Sequence, residues 1–252
     1  MKVSFFQTYG DRLCLLKARE RDFLFLKFLK EFDNNILSLH NVSDRVRKYV
    51  FNSSTYSNFQ IIENNDITYT QCIQKLVNYL NESKVEKFLF YQDDTFSHEL
   101  TEENFTEFVD SVINTTFTHY NISYKLDYLK YQPGSTWTGI NKEIILNNKL
   151  FKIYNTTTKD FANSGLWAMD DSSFICDLHT LNNIYDNNYT NMGNDIWSAE
   201  HYLKNKFTNI NYQRLVSDIS FVKNYNIIGP NRQPSNIRDL ILKLNCNEED
   251  LI

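Results

Sequence analysis

Residues Lys87 to Phe96 read KFLFYQDDTF, an apolar run from Phe88 to Tyr91 that closes on two adjacent carboxylates, Asp93 and Asp94. A short unbroken apolar run, rich in aromatics, predicts a strand covered on both faces, because a strand with one wet face would alternate. Working outward from it, Lys2 to Gln7, Ile36 to Leu39 and Phe59 to Ile62 are three further strand candidates. Between them, 12–32 contains neither Gly nor Pro and carries apolar residues along one side, which predicts a helix. Thr68 to Leu80 (TYTQCIQKLVNYL) has apolar spacings of three and four and predicts an amphipathic helix. Strand, helix, strand, helix, strand requires crossover connections, so the expected fold is α/β with a mostly parallel central sheet.

Beyond Asp94 the pattern predicts helices at 102–113, near 172–181, at 195–206 and at 237–244, and strands or a hairpin at 123–129 and 143–153. No repeat, low-complexity tract or proline-rich linker divides the chain, so 1–252 reads as one domain. The 252 residues carry 31 acidic and 26 basic side chains, a net charge of -5 with no dense basic run, which argues against a phosphate-tracking nucleic-acid binder. Four cysteines lie far apart without a CxxC pair, so neither a zinc site nor a disulfide framework is expected, and reduced thiols suit a cytoplasmic protein. No window has the length and apolarity of a transmembrane segment.

In open parallel sheets ligands bind outside the carboxyl ends of the strands, which is where Asp93 and Asp94 fall. Two neighbouring carboxylates repel, and a hard divalent cation shared with an anionic ligand relieves that repulsion. Asp-Asp-Thr equally ends a strand and begins a turn.

The first strand closing on Thr8-Tyr9-Gly10-Asp11-Arg12, two more strands, a helix, and an apolar strand ending in Gln92-Asp93-Asp94 together resemble nucleotide-sugar-dependent glycosyltransferases of the GT-A type, similar to small family 2 domains. The resemblance implies a Rossmann-like central sheet with a smaller acceptor-side sheet, a nucleotide-sugar-binding half in 1–100 and an acceptor-binding half in 101–252. It implies that the acidic pair is the DxD motif. Asp94 is then the metal ligand for Mn2+ or Mg2+, and Asp93 a second ligand or one facing the ribose or a bound water. Thr8, Tyr9, Asp11 and Arg12 would line the pocket of a UDP- or GDP-sugar.

FANSGLWAMDDSSF (Phe161 to Phe174) resembles the family's acceptor-side loop, implying that Gly165, Leu166 and Trp167 meet the glycan or other hydroxyl acceptor. GNDIWSAEHYL (Gly193 to Leu203) resembles the segment carrying the catalytic base of inverting members, with Asp195 as base and Glu200 in reserve. One departure is that many metal-dependent members add a C-terminal histidine, whereas the last histidine here is His201. Water, Asn224 or Asn226 would complete the metal shell, or Lys223 and Arg232 would neutralise the diphosphate. The expected activity is metal-dependent, inverting glycosyl transfer. Two rivals stand beside it: a nucleotidyltransferase, and a catalytically inactive carbohydrate-binding or scaffold domain of the same fold.

Overall fold

In the computed structural model the KFLFYQ stretch is a central strand whose residues Phe88, Leu89, Phe90 and Tyr91 are at most 3% exposed. The structure describes residues 1–114, 117–130, 143–163, 173–185, 189–208, 210–225 and 234–247. In chain order the elements are β1 (Lys2–Tyr9), α1 (Leu13–Arg19), α2 (Phe23–Leu29), β2 (Asn34–His40), α3 (Asp44–Asn52), β3 (Phe59–Asn64), α4 (Tyr69–Glu82), β4 (Lys87–Gln92), β5 (Thr95–Ser97), α5 (Glu102–Val109), β6 (His119–Lys125), α6 (Leu126–Lys130), β7 (Ile144–Asn147), β8 (Lys152–Tyr154), α7 (Thr158–Asn163), β9 (Phe174–Cys176), α8 (Leu178–Tyr185), α9 (Ile196–Thr208), β10 (Leu215–Ser217), β11 (Val222–Asn224) and α10 (Pro234–Leu244).

Nine strands form one sheet in the order β3-β2-β1-β4-β9-β6-β10-β8-β7, and β11 pairs with β5 in a small second sheet. The ladders β3/β2, β2/β1, β1/β4 and β6/β10 are parallel, while β9 runs antiparallel to both β4 and β6. Alternate residues of β4 feed two cores. Leu89 and Tyr91 join Phe6, Phe25, Phe28 and Leu37 on one face, and Phe88 and Phe90 join Phe5, Ile36, Ile73, Val77 and Phe174 on the other. Each such side chain contributes roughly 1.5–3 kcal/mol through burial, so a strand apolar on both faces is held from both sides.

α4 forms as its spacing predicts. Thr68 and Gln71 make a reciprocal capping box, and Cys72, Ile73, Leu76, Val77 and Leu80 bury one face. The single helix expected over 12–32 is two. α1 ends at Arg19, and the buried Asp22 starts α2 by accepting from Phe25 N at 3.2 Å. The helix expected near 172–181 is instead the three-residue strand β9 followed by α8, because β4 and β6 offer open ladders that a short segment can fill. The strand expected over 123–129 begins earlier, at His119, and gives way to α6 at Leu126.

The register brings four strand ends to one edge, with β1, β2 and β3 flush and β4 two residues shorter. Gln7 lies opposite Gln92, Tyr9 opposite His40, and His40 opposite Asn64. The acidic pair therefore emerges on the edge where β1, β2 and β3 also end.

Candidate functional site at the carboxyl edge of the sheet

Asp93 is 2% exposed and its carboxylate is held at both oxygens. Thr8 Oγ1, from the end of β1, donates to Oδ2 at 2.9 Å, and Arg12 Nη1 donates to Oδ1 at 2.8 Å. Arg12 occupies the N-cap position of α1 without capping it, and its guanidinium sits 3.6 Å from the centroid of the Tyr9 ring. Burial alone would lower the pKa of Arg12, but the charges of Asp93, Tyr9 and Asp94 raise it above its ordinary value. Burial pushes the Asp93 carboxyl up, against the downward pull of Arg12, Thr8 and Arg19. The structure thus brings Thr8, Tyr9, Arg12, Asp93 and Asp94 to one corner.

Asp11 turns elsewhere. It pairs with Arg45 at 2.8 Å and accepts from Ser43 Oγ at 3.0 Å, tying the β1 to α1 turn to the start of α3. Gly10 makes that turn with φ +62°, a left-handed conformation that costs a glycine little.

Asp94 is 9% exposed, and its carbonyl accepts from Tyr225 N at 3.0 Å. That bond continues the pairing of β5 with β11, which returns the C-terminal part of the chain to the acidic turn. Asn224 donates to Gln92 Oε1 and accepts from Thr95 Oγ1 at 2.6 Å, while Ser173 Oγ donates to Thr95 Oγ1 at 3.1 Å. Lys223 reaches Asn236 Oδ1 at 3.2 Å and lies over the Tyr225 ring at 5.0 Å. Asn226 and Arg232 lie outside the described residues, as do Gly165, Leu166 and Trp167.

Asp195 starts α9 on this same edge. Gly193 and Asn194 offer their carbonyls to Thr70 Oγ1 and Tyr69 N at the start of α4. A Cβ on Gly193, whose φ is +77°, would collide with Ser198. Asp195 is exposed and accepts from Ser198 N and Ser198 Oγ at 2.9 Å each, the geometry of an N-cap. Glu200 is half-buried on the next turn.

Residues that the sequence did not single out also build the corner. Arg19 is fully buried and donates through Nη2 to the carbonyls of Gln92 and Asp93 at 3.3 Å. The available signal was its spacing of seven from Arg12, with Leu15 and Leu16 between, which puts both arginines on one helical face. Thr95 and Ser173 carried no such signal, since their meeting depends on β9 pairing with β4.

Among the described residues no group of three or more His, Cys, Asp or Glu side chains could hold a metal ion. No helix among them is long and apolar enough to cross a membrane, and all four cysteines are free thiols.

No protein-family model and no curated protein matches the chain. The fold does have solved counterparts. HddC from Yersinia pseudotuberculosis is 12% identical, with 96% of this chain and 99% of that one aligned at a TM-score of 0.50. A nucleotidyl transferase from Methanothermobacter thermautotrophicus is 9% identical over 98% of this chain and 99% of its own, at a TM-score of 0.46. The galactosyltransferase LgtC, solved with donor and acceptor sugar analogues, is 10% identical over 84% of this chain and 67% of its own, at 0.37. At these identities the likeness to HddC speaks for the fold alone: a mixed α/β fold, a large mostly parallel central sheet flanked by helices, and a small second sheet, consistent with that of GT-A glycosyltransferases and nucleotidyltransferases.

Proposed function

We propose that the chain uses a nucleoside-diphosphate sugar and transfers its sugar to an acceptor hydroxyl. The observation that carries this reading is the corner itself. Asp93 and Asp94 follow the buried β4, and Asp93 is locked by Thr8 at the end of β1 and Arg12 at the start of α1. Only three residues, Gly10 to Arg12, separate β1 from α1. Such a turn is too short to cradle a triphosphate, which favours sugar transfer over nucleotidyl transfer.

A divalent cation here would be shared between a carboxylate of the corner and the phosphates of the donor. By the resemblance, Asp94 is the carboxylate that would hold Mn2+ or Mg2+, and such ions commonly take one or two carboxylates together with substrate phosphates. A bound cation would supply Lewis-acid stabilisation to the departing diphosphate. The chain's own groups do the rest. Arg12, with its raised pKa, keeps a fixed positive charge at the corner, and Thr8 and Arg12 hold Asp93 so that the turn does not move during transfer. Asp195, exposed on the same edge, takes the proton from the acceptor hydroxyl as its oxygen displaces the diphosphate from the opposite face of the anomeric carbon, a single displacement that inverts that centre. Binding donor and acceptor in one cleft lowers the entropic barrier.

A thermal-shift screen of UDP- and GDP-sugars, with and without Mn2+, tests this on wild type and Asp94→Ala. The expected result is a Mn2+-dependent rise in Tm for one nucleotide family, lost in the variant. No shift with any donor, in a folded wild type, would favour an inactive scaffold. Release of pyrophosphate from a nucleoside triphosphate and a sugar phosphate would replace the reading with nucleotidyl transfer.

A further inference from the structure

The acidic turn rests on a cation that pairs with no carboxylate among the described residues. Arg19 is 1% exposed, and its guanidinium lies 4.5, 4.6 and 5.4 Å from the ring centroids of Phe25, Phe96 and Tyr91. Its Nη2 donates to the carbonyls of Gln92 and Asp93, each at 3.3 Å, while its Nε and Nη1 have no hydrogen-bond partner. Desolvating a guanidinium costs several kcal/mol, and a methionine would pack against three rings without that cost. The charge is therefore poorly explained by packing. It is directional, aimed at the two carbonyls that immediately precede Asp94.

A second grip lies three residues further on. Asp22 Oδ2 accepts from Ser97 N at 2.7 Å and Oδ1 from Ser97 Oγ at 2.6 Å, both buried. The joint between α1 and α2 thus takes carbonyls where the chain enters the turn and an N–H where it leaves.

We infer that Arg19 is a positioning residue for the acidic corner, fixing the Gln92-Asp93 backbone so that Asp94 is presented in one orientation. This rests on the reading of that corner as the site of a diphosphate and a divalent cation. Arg19 touches neither ligand; it acts through the backbone of the turn and through the positive potential it places beneath two like charges.

Three variants test it. Arg19→Met keeps the apolar stem and removes the charge, and Arg19→Lys keeps the charge but puts it on a compact ammonium that loses the planar face packed against the three rings. Phe28→Leu is a packing control in the same core. Amide exchange without ligand reads the turn through Tyr225 N–H, bonded to the Asp94 carbonyl, and Gln92 N–H, bonded to Thr95 Oγ1. Loss of charged hydrogen bonds predicts a fall in protection there of about tenfold or more in Arg19→Met, with Arg19→Lys intermediate and Phe28→Leu no different from its global loss.

Calorimetric titration with UDP or GDP plus Mn2+ should show about a tenfold loss of affinity in Arg19→Met and none in Phe28→Leu at a comparable loss of Tm. Unchanged exchange at both amides, or affinity that simply follows Tm across the three variants, overturns the inference. If Arg19→Met does not fold, Arg19→Lys carries the same comparison. A wild type that binds neither nucleotide overturns the reading of the corner instead, and exchange still reports whether Arg19 holds the turn.

Discussion

Arg12 Nη1 lies 2.8 Å from Asp93 Oδ1, joining residues 81 positions apart, with the arginine side chain 18% exposed and the aspartate 1%. Removing one partner of a buried pair leaves an uncompensated charge, so Arg12→Ala is expected to cost about 3 kcal/mol. For a chain of this size that is roughly 6–12 °C in Tm. Asp93→Asn keeps an acceptor for Thr8, so the double variant should lose less than the sum of the two single losses. Urea unfolding of the four proteins measures this coupling, and strict additivity would show that the pair contributes nothing.

Asp94 is buried at the corner, and its carbonyl, which bonds Tyr225 N, is untouched by a side-chain substitution. Asparagine keeps the size and one acceptor oxygen of this buried side chain, so Asp94→Asn is expected to cost no more than about 1 kcal/mol, roughly 2–4 °C in Tm. Sugar transfer should fall about a hundredfold or more, the loss usual for a group that stabilises developing charge. Turnover that survives in this variant would remove Asp94 from the chemistry.

Asp195 caps α9 through Ser198, and this separates its two possible duties. Asparagine caps a helix about as well as aspartate but accepts no proton, whereas alanine does neither. Asp195→Ala should lose about 1 kcal/mol of stability together with turnover, and Asp195→Asn should lose turnover alone. An Asp195→Asn enzyme with full kcat would leave Asp195 as a cap, and Glu200→Gln would then be the variant to assay.

His119 is fully buried against Phe174, with ring centroids 5.0 Å apart and no hydrogen-bond partner at either nitrogen. Burial, aided by the charge of Arg214, holds its pKa well below the ordinary 6.5. In the unfolded chain the imidazole takes up a proton near pH 6.5 while the native one does not, so stability is full above that pH and falls below it. The slope from this one group is about 1.4 kcal/mol per pH unit. His40 and His98 are lowered by burial too and add in the same direction. Chemical unfolding at pH 7.5 and 5.5 (about one unit either side of the imidazole midpoint) should show a smaller acid loss in His119→Phe than in wild type. Equal losses would mean that His119 already carries its proton in the native state.

Much of residues 1–100 was legible because the signals there are local. KFLFYQ is apolar on both of its faces and so had to lie inside a sheet covered on both sides. The capping box at Thr68 and Gln71 and the apolar spacing behind it wrote α4 into the chain. The break between α1 and α2 was not legible, since Asp22 looks like any helical charge until Ser97 arrives to bind it. β9, three residues long, has no period to read and exists because β4 and β6 flank it.

The sequence by itself determined the α/β layering, the succession of the first four strands along the chain and the placing of an acidic pair at the end of a buried strand. These follow from periodicity and burial, which act over a few residues at a time. Only the tertiary structure decided how the corner is wired. It gave Asp93 to Thr8 and Arg12, drew Asp11 off to Arg45, buried Arg19 beneath the turn and brought Asn224 and Tyr225 back beside it. Those partners lie far apart in the chain, and a hydrogen bond between them depends on ångström distances fixed by register and helix docking, about which local propensity carries no information.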